Sequence, residues 1–181
     1  MSEKTQVKST AKTVEFETYY FQDLKPLIWF TQRLGGNLPE SEDAAQDAMK
    51  SLWQHWDKVE NPAAYTRQAV RRVLFRAHGK AKQAREAETM LRASESVGLA
   101  DDDSSNADVQ SVVAMLQALP KAQREVFALH MDGWDAGEIA QITEQKPATV
   151  RSNLRHARQK LTHMLENQDI NTTRKEANDG P

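Results

Sequence analysis

The sequence predicts an all-helical protein of two small domains joined by a flexible acidic linker. Three observations carry the prediction. Apolar residues recur at helical spacing in one stretch after another, without the alternation of a strand-forming chain. Ala, Gln, Arg, Glu and Leu dominate and glycine is scarce, 7 in 181 residues, a composition that favours helix. A Ser/Asp-rich segment from Ala93 to Asp108 interrupts the helical pattern and divides it in two.

Residues 1–17 are polar and Lys/Thr-rich, so a disordered tail is expected there. The first domain is placed at 18–82. Tyr19, Leu24, Leu27, Ile28 and Leu34 begin an apolar pattern, with a kink or a fresh helix start expected at Pro26 and an end at Gly35-Gly36-Asn37. Glu40–Trp56 is an amphipathic helix whose apolar face is Ala45, Ala48, Met49, Leu52, Trp53 and Trp56. Its first turns carry Glu42, Asp43 and Asp47, a favourable place for acids. Pro62 opens the next helix, with Tyr65, Ala69, Val73 and Leu74 near helical spacing and Arg67, Arg71, Arg72 and Arg76 on its other face. From Gly79 the pattern decays; Lys80–Arg92 could still be helical but has little apolar face, and 83–108 is placed as the linker. The second domain is placed at 109–165. It begins with Val109, Val112, Val113, Leu116 and Leu119, breaks at Pro120, and resumes with Val126, Phe127, Leu129 and Met131 up to Asp132-Gly133. Residues 166–181 are polar again and are expected to be a second tail.

The stretch with most chemistry runs from Asp135 to Leu165. Asp135 can cap a short helix, and Glu138 three residues on completes a capping box. A polar turn follows, Thr143-Glu144-Gln145-Lys146, and Pro147 opens a longer helix. Val150, Leu154, Ala157 and Leu161 form a stripe for burial. Arg151, Arg155 and Arg158 recur on another face beside Ser152 and His156, and no acid occurs between Lys146 and Leu165. A short helix, a tight turn and a longer basic helix make the pattern of a helix-turn-helix reader of the DNA major groove. Guanidiniums with small polar neighbours can hold phosphates and reach guanine edges.

Composition sets further bounds. There is no Cys, which excludes disulfides, thiolate nucleophiles and Cys-ligated zinc. No apolar run is long enough to cross a bilayer, and the N-terminus lacks a secretion signal, so a cytoplasmic location is expected. The net charge of −2 excludes a uniformly basic coat. Basic residues concentrate in Arg67–Arg85 and Lys146–Lys160, and acidic ones in Glu40–Asp47 and Asp101–Asp108, which implies more than one macromolecular partner. His55, His78, His130, His156 and His163 are scattered; His156 and His163 are seven apart but have no acidic partner. No metal site, cofactor or catalytic group is expected.

Both domains together resemble a bacterial sigma factor of the extracytoplasmic-function group. Three segments carry the resemblance: Glu42-Asp43-Ala44-Ala45-Gln46-Asp47-Ala48-Met49; Asn61-Pro62-Ala63-Ala64-Tyr65-Thr66-Arg67; and Leu119-Pro120-Lys121-Ala122-Gln123-Arg124-Glu125-Val126-Phe127 followed by Gly133-Trp134, Glu138-Ile139-Ala140, Thr149-Val150-Arg151-Ser152 and Ala157-Arg158. The resemblance implies a region 2 domain and a region 4 domain that bind core RNA polymerase through its β and β′ subunits and open promoter DNA. It places Asp43, Gln46 and Asp47 against the polymerase. It places Asn61, Tyr65, Arg67, Arg71, Arg72 and Arg76 at the minus-ten element, where aromatic stacking and backbone cations suit an unstacked base. It places Lys146, Thr149, Arg151, Ser152, Arg155, His156 and Arg158 at the minus-thirty-five element. It further implies an anti-sigma partner, and a linker whose Asp101, Asp102, Asp103 and Asp108 mimic RNA. Family members usually have Gly in the helix-turn-helix turn, where this chain has Thr143-Glu144-Gln145, and Asn where it has Arg72. A stand-alone helix-turn-helix regulator and a sigma-like decoy for an anti-sigma protein are the alternatives.

Overall fold

A computed structural model describes the backbone of residues 2–91 and 107–178, and the side chains of 12–77, 79 and 112–167. Among these residues are seven α-helices: α1 (Ser2–Leu34), α2 (Leu38–His55), α3 (Pro62–Leu91), α4 (Ala107–Gln117), α5 (Lys121–Met131), α6 (Ala136–Thr143) and α7 (Pro147–Asn178). A 3-10 turn, Trp56–Lys58, follows α2, and no strand occurs among the described residues. The all-α expectation holds. The chain divides into a first unit, residues 1–32 and 36–105, and a second, 33–35 and 106–181. The aspartates proposed as an RNA mimic lie outside the residues whose side chains are described.

In the first unit α1 runs unbroken past Pro26. Pro26 and Gln22 are both exposed, so the carbonyl that proline leaves without a helical donor is open to water. Gly35, at φ 109°, follows the end of α1. A Cβ on Gly36 would lie 2.8 Å from Ser41 Oγ, so the turn requires a residue without one. Asn37 then caps α2. Its side chain accepts from the Glu40 N–H at 2.9 Å, while the Glu40 carboxylate accepts from the Asn37 N–H at 3.1 Å, a box that satisfies two otherwise orphaned donors. The core is Leu27 and Phe30 from α1, Ala44, Ala45, Ala48, Met49 and Leu52 from α2, and Val70 and Leu74 from α3.

A buried polar latch joins α1 to α3. Asp23 accepts from the Tyr19 hydroxyl at 2.5 Å and is ion-paired with Arg67. Thr66 also turns its hydroxyl toward this carboxylate, at 3.5 Å. Burial, joined by the bond to Asp23, pushes the Tyr19 phenol above its ordinary range.

Three expectations are corrected. The stretch 1–17 is helical from Ser2. Lys12 Nζ lies 2.5 Å from Asp57 and over the Trp53 ring, and the Phe16 ring packs 4.9 Å from Trp53 and 5.3 Å from Trp56. Apolar contact thus holds a segment that its polar composition predicted to be loose. Trp53, expected in the core, is 38% exposed under that cover. At the other end, α7 continues through the expected second tail to Asn178, with no Pro or Gly before Gly180 to stop it. The helix allowed after Gly79 does form: α3 reaches Leu91 on a run of good helix formers, over the first part of the segment placed in the linker.

Candidate nucleic-acid interface

In the second unit, Val126, Ala128 and Leu129 of α5, Ile139, Ala140 and Ile142 of α6, and Val150, Leu154 and Ala157 of α7 are buried. Leu116 and Leu119 meet Ala157, with Phe127 and Leu161 packed beside them. The predicted stripe on α7 is therefore the inward face. Asp135 caps α6 as its spacing predicts: Oδ1 accepts from the N–H groups of Gly137 at 2.7 Å and Glu138 at 2.8 Å, and Glu138 accepts from the Asp135 N–H at 2.8 Å. Gly137 costs a helix interior about 1 kcal/mol relative to Ala. A Cβ there would sit 3.2 Å from the capping Oδ1, which gives the glycine a local reason.

The turn contains one strained residue. Glu144 adopts φ 58°, ψ 37°, and is the one non-glycine residue with positive φ among the described residues. Its N–H donates to the Gln141 carbonyl at 3.4 Å, and the Gln145 N–H donates to the Ala140 carbonyl at 2.9 Å. This paired closure ends a helix through a left-handed residue, a position glycine usually fills. Two residues later α7 begins at Pro147.

With the apolar stripe inward, α7 turns its other face outward. Lys146, Thr149, Arg151, Arg155, His156 and Arg158 are exposed and Ser152 is half-buried. Arg151, Arg155 and Arg158, at i, i+4 and i+7, form one line along the helix. Arg158 also reaches back to α5, where Nη2 lies 2.8 Å from His130 Nε2. The structure thus leaves six of the seven predicted residues of this stretch exposed and Ser152 half-buried, with the three arginines on one line.

The first unit gathers its predicted residues less completely. Tyr65, Ala69, Arg72 and Arg76 share one face of α3. With Asp47, Ala48, Ser51, Gln68 and Val73, the first three line a cleft of about 250 Å³ between α2 and α3. The Tyr65 hydroxyl is fixed 2.8 Å from Ser51 Oγ. Tyr65, Ala69 and Val73, which recur near helical spacing, edge this cleft, and Val73 is 42% exposed. Asn61 spends its side chain capping α3, accepting from the Ala64 N–H at 3.0 Å. Arg71 is half-buried, while Arg72 and Arg76 are exposed. Asp43, Gln46 and Asp47 lie exposed on one face of α2, and Asp47 also borders the cleft.

Arg67 is the clear exception. It was expected on the DNA-facing side, but it is 5% exposed and paired with Asp23. Its position explains this: Arg67, Val70 and Leu74 lie at i, i+3 and i+7 on the buried face of α3. Ser51, Gln68 and His130 were not anticipated. Ser51 and Gln68 carried a signal, since they lie one turn from Asp47 and Tyr65 respectively. Among the described residues no group of three or more His, Asp or Glu is arranged to hold a metal ion, and no helix is long and apolar enough to cross a membrane.

Comparison with known proteins bears on both units. Residues 110–161 match the family model for Sigma-70, region 4. No curated protein matches the chain in sequence. Among solved structures, the sigma factor RpoE in complex with the anti-sigma factor NepR, from Bartonella quintana, is similar with TM-score 0.67 and 23% identity, over 84% of this chain and 97% of that one. CnrH in complex with the cytosolic domain of CnrY is similar with TM-score 0.61 and 18% identity, over 83% of this chain and 87% of that one. At these identities the structural likeness speaks to fold, and the sequence match speaks to the second unit. Residues 110–161 therefore match sigma-70 region 4 in sequence, and the chain as a whole is similar in fold to the sigma factor RpoE and to CnrH.

Proposed function

We propose that the chain is a promoter-specificity subunit of RNA polymerase, with its first unit opening the minus-ten element and its second reading the minus-thirty-five element. The observation that carries this reading is the outward line Arg151–Arg155–Arg158 on a capped helix-turn-helix that matches sigma-70 region 4. In the major groove, α7 would set its guanidiniums against phosphates and guanine O6 and N7 edges, with Lys146 and Thr149 at the helix entry on the backbone. In the first unit, the Tyr65 ring edges a cleft beside Arg72, and Arg76 lies one turn further on. An aromatic flanked by cations suits a separated strand better than a duplex. Arg67 is set aside as structural.

Asp43, Gln46 and Asp47 are assigned to core polymerase because an exposed acid-and-amide face has no role within the first unit. The pairing of the similar RpoE with an anti-sigma factor supports proposing such a partner here as well. Run-off transcription with core polymerase tests the reading. Starts that appear only when the chain is added, and that are lost on Asp43→Lys with Asp47→Lys, are expected. Tight, sequence-specific duplex binding by the free chain, with no effect on core polymerase, would favour a stand-alone regulator instead.

A further inference from the structure

A guanidinium has only N–H donors, so any atom it hydrogen-bonds must accept. Arg158 Nη2 lies 2.8 Å from His130 Nε2. For that contact to be a hydrogen bond, His130 must be neutral, with its proton on Nδ1 and the Nε2 lone pair facing the guanidinium. Arg158 is exposed on the outward line of α7, and His130 is half-buried on α5 with its ring packed edge-on to Phe127, centroids 6.3 Å apart. The ring is the more fixed of the two partners, so it sets where the arginine head rests. The group facing the ring from α7 is Arg158, and α6's Glu138 is held in the Asp135 cap. No carboxylate among the described residues is within salt-bridge distance of Arg158 or His130.

We propose that His130 is a positioning residue for DNA recognition: its Nε2 lone pair holds Arg158 in line with Arg151 and Arg155. Without that acceptor Arg158 must be ordered on binding. This rests on the reading that α7 faces DNA. It adds that a residue on a neighbouring helix, outside the groove, tunes one contact.

Two measurements test it. The first needs no DNA. Side-chain ¹⁵N spectra of the full chain at pH 8 should show His130 with an unprotonated Nε2 and a protonated Nδ1. The opposite tautomer overturns the proposal, whatever α7 does. The second uses holoenzyme on a promoter located by transcript mapping and compares wild type, His130→Ala, His130→Gln, Arg158→Ala and His130→Ala with Arg158→Ala. At pH 8, His130→Ala should weaken binding about threefold to tenfold, as expected for one hydrogen bond. His130→Gln, which keeps an acceptor, should recover part of that loss and guards against a misfolded alanine variant. The double variant should bind like Arg158→Ala alone. Additive losses in the double variant, or no recovery by His130→Gln, would overturn the positioning role while leaving the DNA reading intact. If Arg151→Ala and Arg158→Ala both leave binding unchanged, the DNA reading itself falls, and this inference falls with it.

Discussion

Replacing Asp23 with Ala tests whether Arg67 is a structural residue or a DNA contact. Asp23 accepts from Tyr19, pairs with Arg67 and faces Thr66, and the ion-paired side chains are only 14% and 6% exposed. Removing the carboxylate takes the counter-charge from a guanidinium that water barely reaches. Breaking one partner of such a buried pair costs about 3–5 kcal/mol. For a unit of this size each kcal/mol moves the midpoint by about 4–8 °C, so its melting temperature should fall by more than about 12 °C. Trp29, Trp53 and Trp56 lie in this unit and Trp134 in the other. Tryptophan fluorescence therefore reports mainly on the first unit. Asp23→Leu with Arg67→Met should recover most of the loss, because a well-packed apolar pair often replaces a buried ion pair at little cost. Arg72→Ala, on the exposed face, should leave the melt within about 0.5 kcal/mol of wild type. A shift under about 3 °C for Asp23→Ala would show that the guanidinium finds water or another acceptor, and the burial argument would be refuted.

Other expectations are narrower. Arg151→Ala should cost about 1–3 kcal/mol of promoter binding if it grips a guanine edge, read as lost minus-thirty-five-dependent transcription; unchanged transcription contradicts that assignment. Glu144→Gly should stabilise the second unit by about 1 kcal/mol, since the left-handed conformation costs a side-chain-bearing residue about that much. A lower Trp134-detected melting temperature would count against it. Because the Tyr19 phenol is raised in the folded state, the folded chain holds its proton where the unfolded chain has lost it. Stability should be intact below about pH 10, the unfolded value, and fall as pH rises above it. Tyr19→Phe should flatten that alkaline decline, and an unaltered decline would show the phenol to be uninvolved.

Much of the second unit was legible because its signals are local. A cap and its box partner are three residues apart, a proline marks its own helix start, and the α7 stripe repeats within one element. The first unit hid more because its decisive contacts join distant residues. Asp23 and Arg67 are 44 positions apart, and nothing near either marks the partner. The face of Arg67 was still readable from Val70 and Leu74. The early part of α1 looked like a tail because Phe16 is a lone aromatic in a polar run. Only Trp53, Trp56 and Asp57, brought beside it by the fold, give it and Lys12 something to hold. The cleft between α2 and α3 was missed for a related reason: Tyr65, Ala69 and Val73 have core spacing, and only packing shows that nothing closes over them. The length of α7 was underestimated because loss of an apolar face was equated with loss of helix, although intrinsic propensity continues the ladder where no Pro or Gly intervenes.

The length of α7 has a mechanical side. Its 32 residues form one uninterrupted helix, about 48 Å from end to end at 1.5 Å per residue. Arg151 stands in the second turn and Asn178 at the far end. Anything that grips the distal turns therefore holds a shaft whose other end carries Arg151, Arg155 and Arg158. Each residue inserted into or removed from that shaft rotates the two ends by about 100° relative to each other. Single-residue insertions beyond Glu166 would turn a distal handle around the axis in steps, without touching the arginine line.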